Sequence, residues 1–156
     1  MTKLLARDVM ETQVVSVSAQ TPLSAVHHLF VEEGINGAPV VDEQDQVVGV
    51  ISSMDLIRAA ADEHETVRTD PGYFRESREF AGAELTSTPE DYLARLDERT
   101  VGDVMSEEVF SVPPDAPVAE VARQMRTHRV HRMIVMDDSR LAGVVTTFDL
   151  VGLLEK

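Results

Sequence analysis

Asp8-Val9-Met10 followed by Val14-Val15-Ser16-Val17 returns later in the chain as Asp103-Val104-Met105 followed by Val109-Phe110-Ser111-Val112. The same offset of 95 residues carries Pro22 onto Pro117, Val26 onto Val121, Val40 onto Val135 and Asp42 onto Asp137. A one-residue deletion in the next turn shortens the offset to 94, and Gly49-Val50 then meets Gly143-Val144, with Asp55-Leu56 meeting Asp149-Leu150. An internal repeat governs how the rest of a sequence is read, because each copy must fold alike. Copies of this size bury too little surface alone, so the two are expected to pack on each other.

Each copy has the pattern β-α-β-β-α. Val14–Val17 has the composition of a short strand. Thr21-Pro22 then predicts a helix start, with Thr as N-cap and Pro at the first helical position. Leu23, Val26, Leu29 and Phe30 recur at helical spacing until Gly34, a helix stop. Ala38–Val41 and Val47–Ile51 flank Asp42–Gln46 as a hairpin, and a second helix opens at Ser52-Ser53. In the second copy the helix carries Val118, Val121, Ala122 and Met125, the strands are Met133–Met136 and Leu141–Val145, and the last helix follows Thr146-Thr147. The chain thus divides into a repeat at 1–61, an insert at 62–99 and a repeat at 100–156.

The insert is not linker-like. It holds Tyr73, Phe74, Phe80 and Tyr92, four of the seven aromatic residues, and disordered linkers are poor in such residues. Ala59–Glu65 extends the preceding helix, Asp70-Pro71-Gly72 is a turn, and Thr88-Pro89-Glu90-Asp91 starts a helix carrying Tyr92, Leu93 and Leu96. The insert is expected to be partly ordered and to cover either the module or a partner.

Composition narrows the function. The net charge of -14 weighs against nucleic acid and anionic membranes as partners. There is no cysteine, which suits a reducing cytoplasm, and neither a bilayer-spanning apolar run nor a signal-peptide core is visible. Nucleotide-loop and nucleophile-elbow motifs are missing, so an enzyme is not expected. His27-His28 with Glu32, or His128 with His131, do not have the spacing of a metal site. No metal and no required cofactor are expected.

The segment from Gly49 to Asp55 is a strand entering a helix N-terminus, where backbone N–H groups and the helix dipole favour an anion. Ser52 adds a hydroxyl donor, and Asp55 one turn on can accept bonds from a ribose diol. Gly143–Asp149 repeats the arrangement with Thr146 and Asp149. The same residues also serve as ordinary helix caps, so a structural and a binding role both remain open. Repeat two adds Arg123, Arg126, His128, Arg129, His131 and Arg132 within a strongly acidic chain. That is a local positive field for phosphate, or else a solvated helix face.

Two copies that open Asp-Val-Met and close Gly-Val-[Ile/Val]-[Ser/Thr]-x-x-Asp-Leu resemble a tandem pair of cystathionine-β-synthase-type (CBS) domains. The resemblance spans residues 6–58 and 101–152 and leaves out the insert. It implies an α/β (α+β) fold of two β-α-β-β-α repeats about a pseudo-twofold axis, dimerisation into a disc, and clefts for AMP, ADP, ATP or S-adenosylmethionine. The matching positions give Ser52, Thr146, Asp55 and Asp149 for phosphate and ribose, and Arg132 beside His131 for phosphate charge. They give Ala38-Pro39, with Met133 at the other copy, for close approach of the base. Ser16-Val17 and Ser111-Val112 fall where the family contacts the base. Repeat one has Asn36 and Gly37 where repeat two has His131 and Arg132, so the two half-sites are unequal. The implied role is a homodimeric cytoplasmic energy sensor that binds an adenine nucleotide and acts in trans on a partner protein. A ligand-free dimerisation scaffold and a binder of an S-adenosylmethionine-type ligand are the alternatives.

Overall fold

The computed structural model describes residues 3–60, 72–75 and 90–155. The elements run α1 (Ala6–Val9), α2 (Leu23–Glu33), β1 (Gly37–Val41), β2 (Val47–Ser52), α3 (Ser53–Ala60), α4 (Gly72–Arg75), α5 (Glu90–Asp97), α6 (Val101–Val104), β3 (Ser111–Val112), α7 (Val118–His128), β4 (Arg132–Asp137), β5 (Arg140–Thr146) and α8 (Thr147–Gly152), with a 3-10 turn at Leu153–Glu155. β1 and β2 form an antiparallel hairpin. β4 and β5 form a second, with β3 added parallel to β4. The result is a mixed α/β fold of two similar halves.

The Asp-Val-Met motif acquires a physical meaning here. Asp8 and Asp103 each sit on a one-turn helix and accept the backbone N–H three residues back, from Leu5 at 2.8 Å and from Thr100 at 2.9 Å. Each methionine then crosses to the other repeat. A Cβ on Gly143 would lie 2.8 Å from Met10 Sδ and 2.7 Å from the Glu11 carbonyl, and one on Gly49 would lie 3.1 Å from Met105 Sδ and 2.6 Å from the Ser106 carbonyl. Backbone pairs fix both crossings: Glu11 N–H to Val144 O at 2.8 Å with its return bond at 3.0 Å, and Val50 N–H to Ser106 O at 2.8 Å with its return at 2.9 Å. Farther back along the arms, Ala6 N–H donates to Ala116 O at 2.8 Å and Leu23 N–H to Arg99 O at 3.0 Å. The repeats therefore exchange their N-terminal arms, and each hydrophobic core contains residues of both, Ala6 in one and Val101 in the other.

Two local expectations change. The strand expected at Val14–Val17 is a single bridge between Val17 and Val40. The arm spends its backbone groups on Val144 at one end and on Pro39 and Val41 at the other, and residues 12–16 between them join no sheet. Pro22 and Pro117 stand at the N-cap itself, with ψ of 144° and 142°, rather than inside the helix. Neighbouring backbone pairs with the exchanged arms hold both prolines extended, so no Thr side chain caps α2. Gly34 does end α2 in the left-handed conformation, at φ 65°, and Arg129 takes the equivalent place after α7 at φ 56°, where a side chain costs about 1–2 kcal/mol.

The insert covers the module. Leu96 of α5 is fully buried in the repeat-one core, and Arg95 Nη1 caps α3 by donating to Ala60 O at 2.7 Å. Tyr73 and Phe74 of α4 are buried in the other core. The helix expected from Thr88-Pro89 is α5. The expected extension of α3 through Glu65, the turn at Asp70-Pro71 and Phe80 lie outside the described residues, as does the side chain of Tyr92.

Candidate functional site

The two strand-to-helix junctions are built alike. Thr146 N–H and Oγ1 donate to Asp149 Oδ2 at 2.8 and 3.0 Å, and Asp149 N–H returns a 3.2 Å bond to Thr146 Oγ1. Ser52 N–H and Oγ donate to Asp55 Oδ2 at 2.8 and 3.2 Å. The helix-capping role is thus physically present at both. Their surroundings differ. Thr146 and Asp149 are half-buried beside open space, whereas Ser52 and Asp55 are 0% and 4% exposed.

The open space is a cavity of about 650 Å³ between the repeats, within the range that holds a nucleoside-sized ligand. Thr146, Thr147, Phe148 and Asp149 form one wall, His131 and Arg132 a second, and Asn36, Gly37 and Pro39 a third. Glu11, Val14 and Val15 of the crossing arm close it, with Tyr73 of the insert. Arg132 is held in place: its Nη2 donates to Asn36 Oδ1 at 2.9 Å, and its guanidinium lies 4.6 Å from the centre of the Tyr73 ring. Burial pushes the Tyr73 hydroxyl above its ordinary pKa of 10.0, and the charge and hydrogen bond of Arg132 oppose that. Cavity electrostatics are mixed: among the described lining residues the permanent cation is Arg132, set with the carboxylates of Glu11 and Asp149.

Of the positions singled out in the sequence, Pro39, His131, Arg132, Thr146 and Asp149 meet at this cavity. Ala38, Val17, Val112 and Met133 are buried in the cores, Ser111 lies in β3, and Ser16 is exposed. Ser52 and Asp55 lie at the other junction. Within the basic string, Arg123 pairs with Glu120 on the surface of α7, and Arg126, His128 and Arg129 are exposed. Sequence reasoning missed Glu11, Val14 and Val15, which reach the site only because the arms are exchanged. It also missed Tyr73's place there, although its aromatic-rich segment had stood out.

The CBS domain family pattern matches residues 6–62 and 101–156. Uncharacterized protein MJ1426 of Methanocaldococcus jannaschii is 29% identical over 155 residues, covering 97% of this chain and 91% of that one. For MJ1225 of the same organism, 24% identical over 149 residues, the match takes in 95% of this chain but 42% of the relative. Two solved structures share the fold. The CBS domain pair of protein MJ0100, in complex with 5′-methylthioadenosine and S-adenosyl-L-methionine, superposes with a TM-score of 0.67 at 21% identity, over 99% of this chain and 98% of that one. CBSX2 in complex with AMP superposes with a TM-score of 0.68 at 23% identity, over 97% and 96%.

Proposed function

We propose, from the premise that the chain belongs to the CBS domain family, that it is a regulatory module binding one adenosine-containing ligand in the cavity beside Thr146 and Asp149. The observation that carries this reading is the meeting of the Thr146–Asp149 cap and the anchored Arg132 in one cavity. The capping bonds to Asp149 all fall on Oδ2, which leaves Oδ1 to accept a ribose hydroxyl. Val14, Val15 and Pro39 give an adenine ring an apolar slot. With the carboxylates of Glu11 and Asp149 beside Arg132 among the described lining residues, the cavity suits AMP or an S-adenosylmethionine-type ligand better than the four charges of ATP.

Ligand bound across the repeats favours one arrangement of the exchanged arms, and that population shift is the signal. The module passes it in trans to a partner protein in the cytoplasm. Homodimerisation belongs to the same reading. Phe148, Val151 and Leu154 are 80%, 57% and 85% exposed at three-residue spacing along the last helix and turn, an apolar stripe suited to a second copy. That stripe also supports the scaffold alternative, in which dimerisation alone is the function.

A thermal-shift panel with AMP, ADP, ATP, S-adenosylmethionine, 5′-methylthioadenosine and GTP, on protein stripped of carried-over ligand, tests the proposal. Ligand at about 100 times Kd adds roughly 2.7 kcal/mol. A rise with adenosyl ligands and none with GTP supports the sensor. A flat panel leaves the scaffold.

A further inference from the structure

We infer that the chain supplies its own occupant for the first of its two clefts, so that only the second exchanges ligand. The inference rests on the proposed adenosyl site and extends it. The internal repeat maps the walls of the open cavity onto a mirror cleft: Val15 maps onto Phe110, His131 onto Asn36, Thr146 onto Ser52 and Asp149 onto Asp55. That mirror cleft is full. Phe74 meets the ring of Phe110 edge-on at 5.0 Å, and Tyr73 stands edge-on to Phe74 at the same separation. The Phe74 carbonyl accepts the His131 backbone N–H at 2.8 Å. Helix α4 packs against β2, α3 and β4, and Tyr73 and Phe74 are 3% and 0% exposed. This filling accounts for the near-complete burial of Ser52 and Asp55, whose counterparts Thr146 and Asp149 face open space.

The sequence differences between the half-sites suit this arrangement. Gly37 occupies the position that Arg132 holds in repeat two. A Cβ on Gly37 would lie 2.5 Å from Tyr73 Cδ1, so repeat one gives up a side chain where the plug must fit. Arg132 lies over the same ring, 4.6 Å from its centre. Repeat one has thus exchanged a phosphate-binding base for a place to seat an aromatic residue.

Isothermal titration of the full chain with 5′-methylthioadenosine and with AMP tests this. The wild-type chain should bind one equivalent, and Asp149→Ala should bind none. In Phe74→Asp, whose carboxylate cannot stay against Phe110, a second equivalent should appear. Two equivalents on the wild type, one retained by Asp149→Ala, or a folded Phe74→Asp still at one would each overturn the inference. A reporter independent of ligand is available because the chain has no cysteine. The thiol in Phe74→Cys should react far more slowly than an exposed thiol with a maleimide; reaction at the exposed rate overturns the plug. If the wild type binds neither probe while that thiol stays protected, the plug stands and the adenosyl reading fails.

Discussion

Arg132 stacks on Tyr73 and hydrogen-bonds Asn36, so one side chain joins the insert, the first repeat and the open cavity. Its replacement separates the two ligand classes. Arg132→Met should weaken AMP by about 1.5–3 kcal/mol, roughly ten- to a hundredfold in Kd. It should leave 5′-methylthioadenosine, which has no phosphate, within about threefold by the same scale. Titration calorimetry with both ligands reads the difference.

Asp149 and Asp103 both accept the N–H and hydroxyl of a threonine three residues back, but only Asp149 lines the cavity. Substituting either by Ala should weaken its helix cap and lower the melting temperature. Asp149→Ala should also abolish adenosyl binding, and Asp103→Ala should leave it intact. Thermal melts with and without ligand separate the two effects.

Alkaline pH should unseat the plug. Burial holds the Tyr73 pKa above 10.0 in the folded chain, so the folded state keeps a proton that the unfolded state loses. Stability from this group is complete below pH 10.0 and falls as pH rises through the folded value. Denaturant melts above pH 10 should show that decline, and Tyr73→Phe should flatten it.

The crossing arms pass directly over glycine. Gly143→Ala places a methyl 2.7 Å from the Glu11 carbonyl, against backbone that cannot rotate aside. The cost should be about 1–3 kcal/mol, a fall in Tm of ~2–4 °C for each kcal/mol. Gly49→Ala, facing the Ser106 carbonyl at 2.6 Å, should behave in the same way. Matched melts of the two variants test that equivalence.

Much of the architecture was legible because it rests on local chemistry repeated twice. The hairpin turn at Asp42–Gln46, the left-handed Gly34 and the Ser/Thr-x-x-Asp junctions all declare themselves within a few residues. Arm exchange does not, since the bonds from Glu11 to Val144 and from Ser106 to Val50 join residues far apart in sequence. This is why Val14–Val17 looked like a strand and why Glu11 went unnoticed at the cavity. The basic string misled for a related reason. Its spacing marks a helix face, but only the packing of α7 decides that Arg123 and Arg126 point outward while Arg132, on the next strand, points in. The aromatic surplus of the insert was visible, but not that Phe74 meets Phe110 while Tyr73 borders the open cavity.

The exchanged arms carry a historical implication. A single-repeat ancestor with this arm would have had no partner for it within its own chain, and two copies would have interlocked as a domain-swapped pair. Joining two such copies in one chain tethers the pair and frees its halves to differ. Gly37 in one half and Arg132 at the matching place in the other are a difference that an identical pair could not hold.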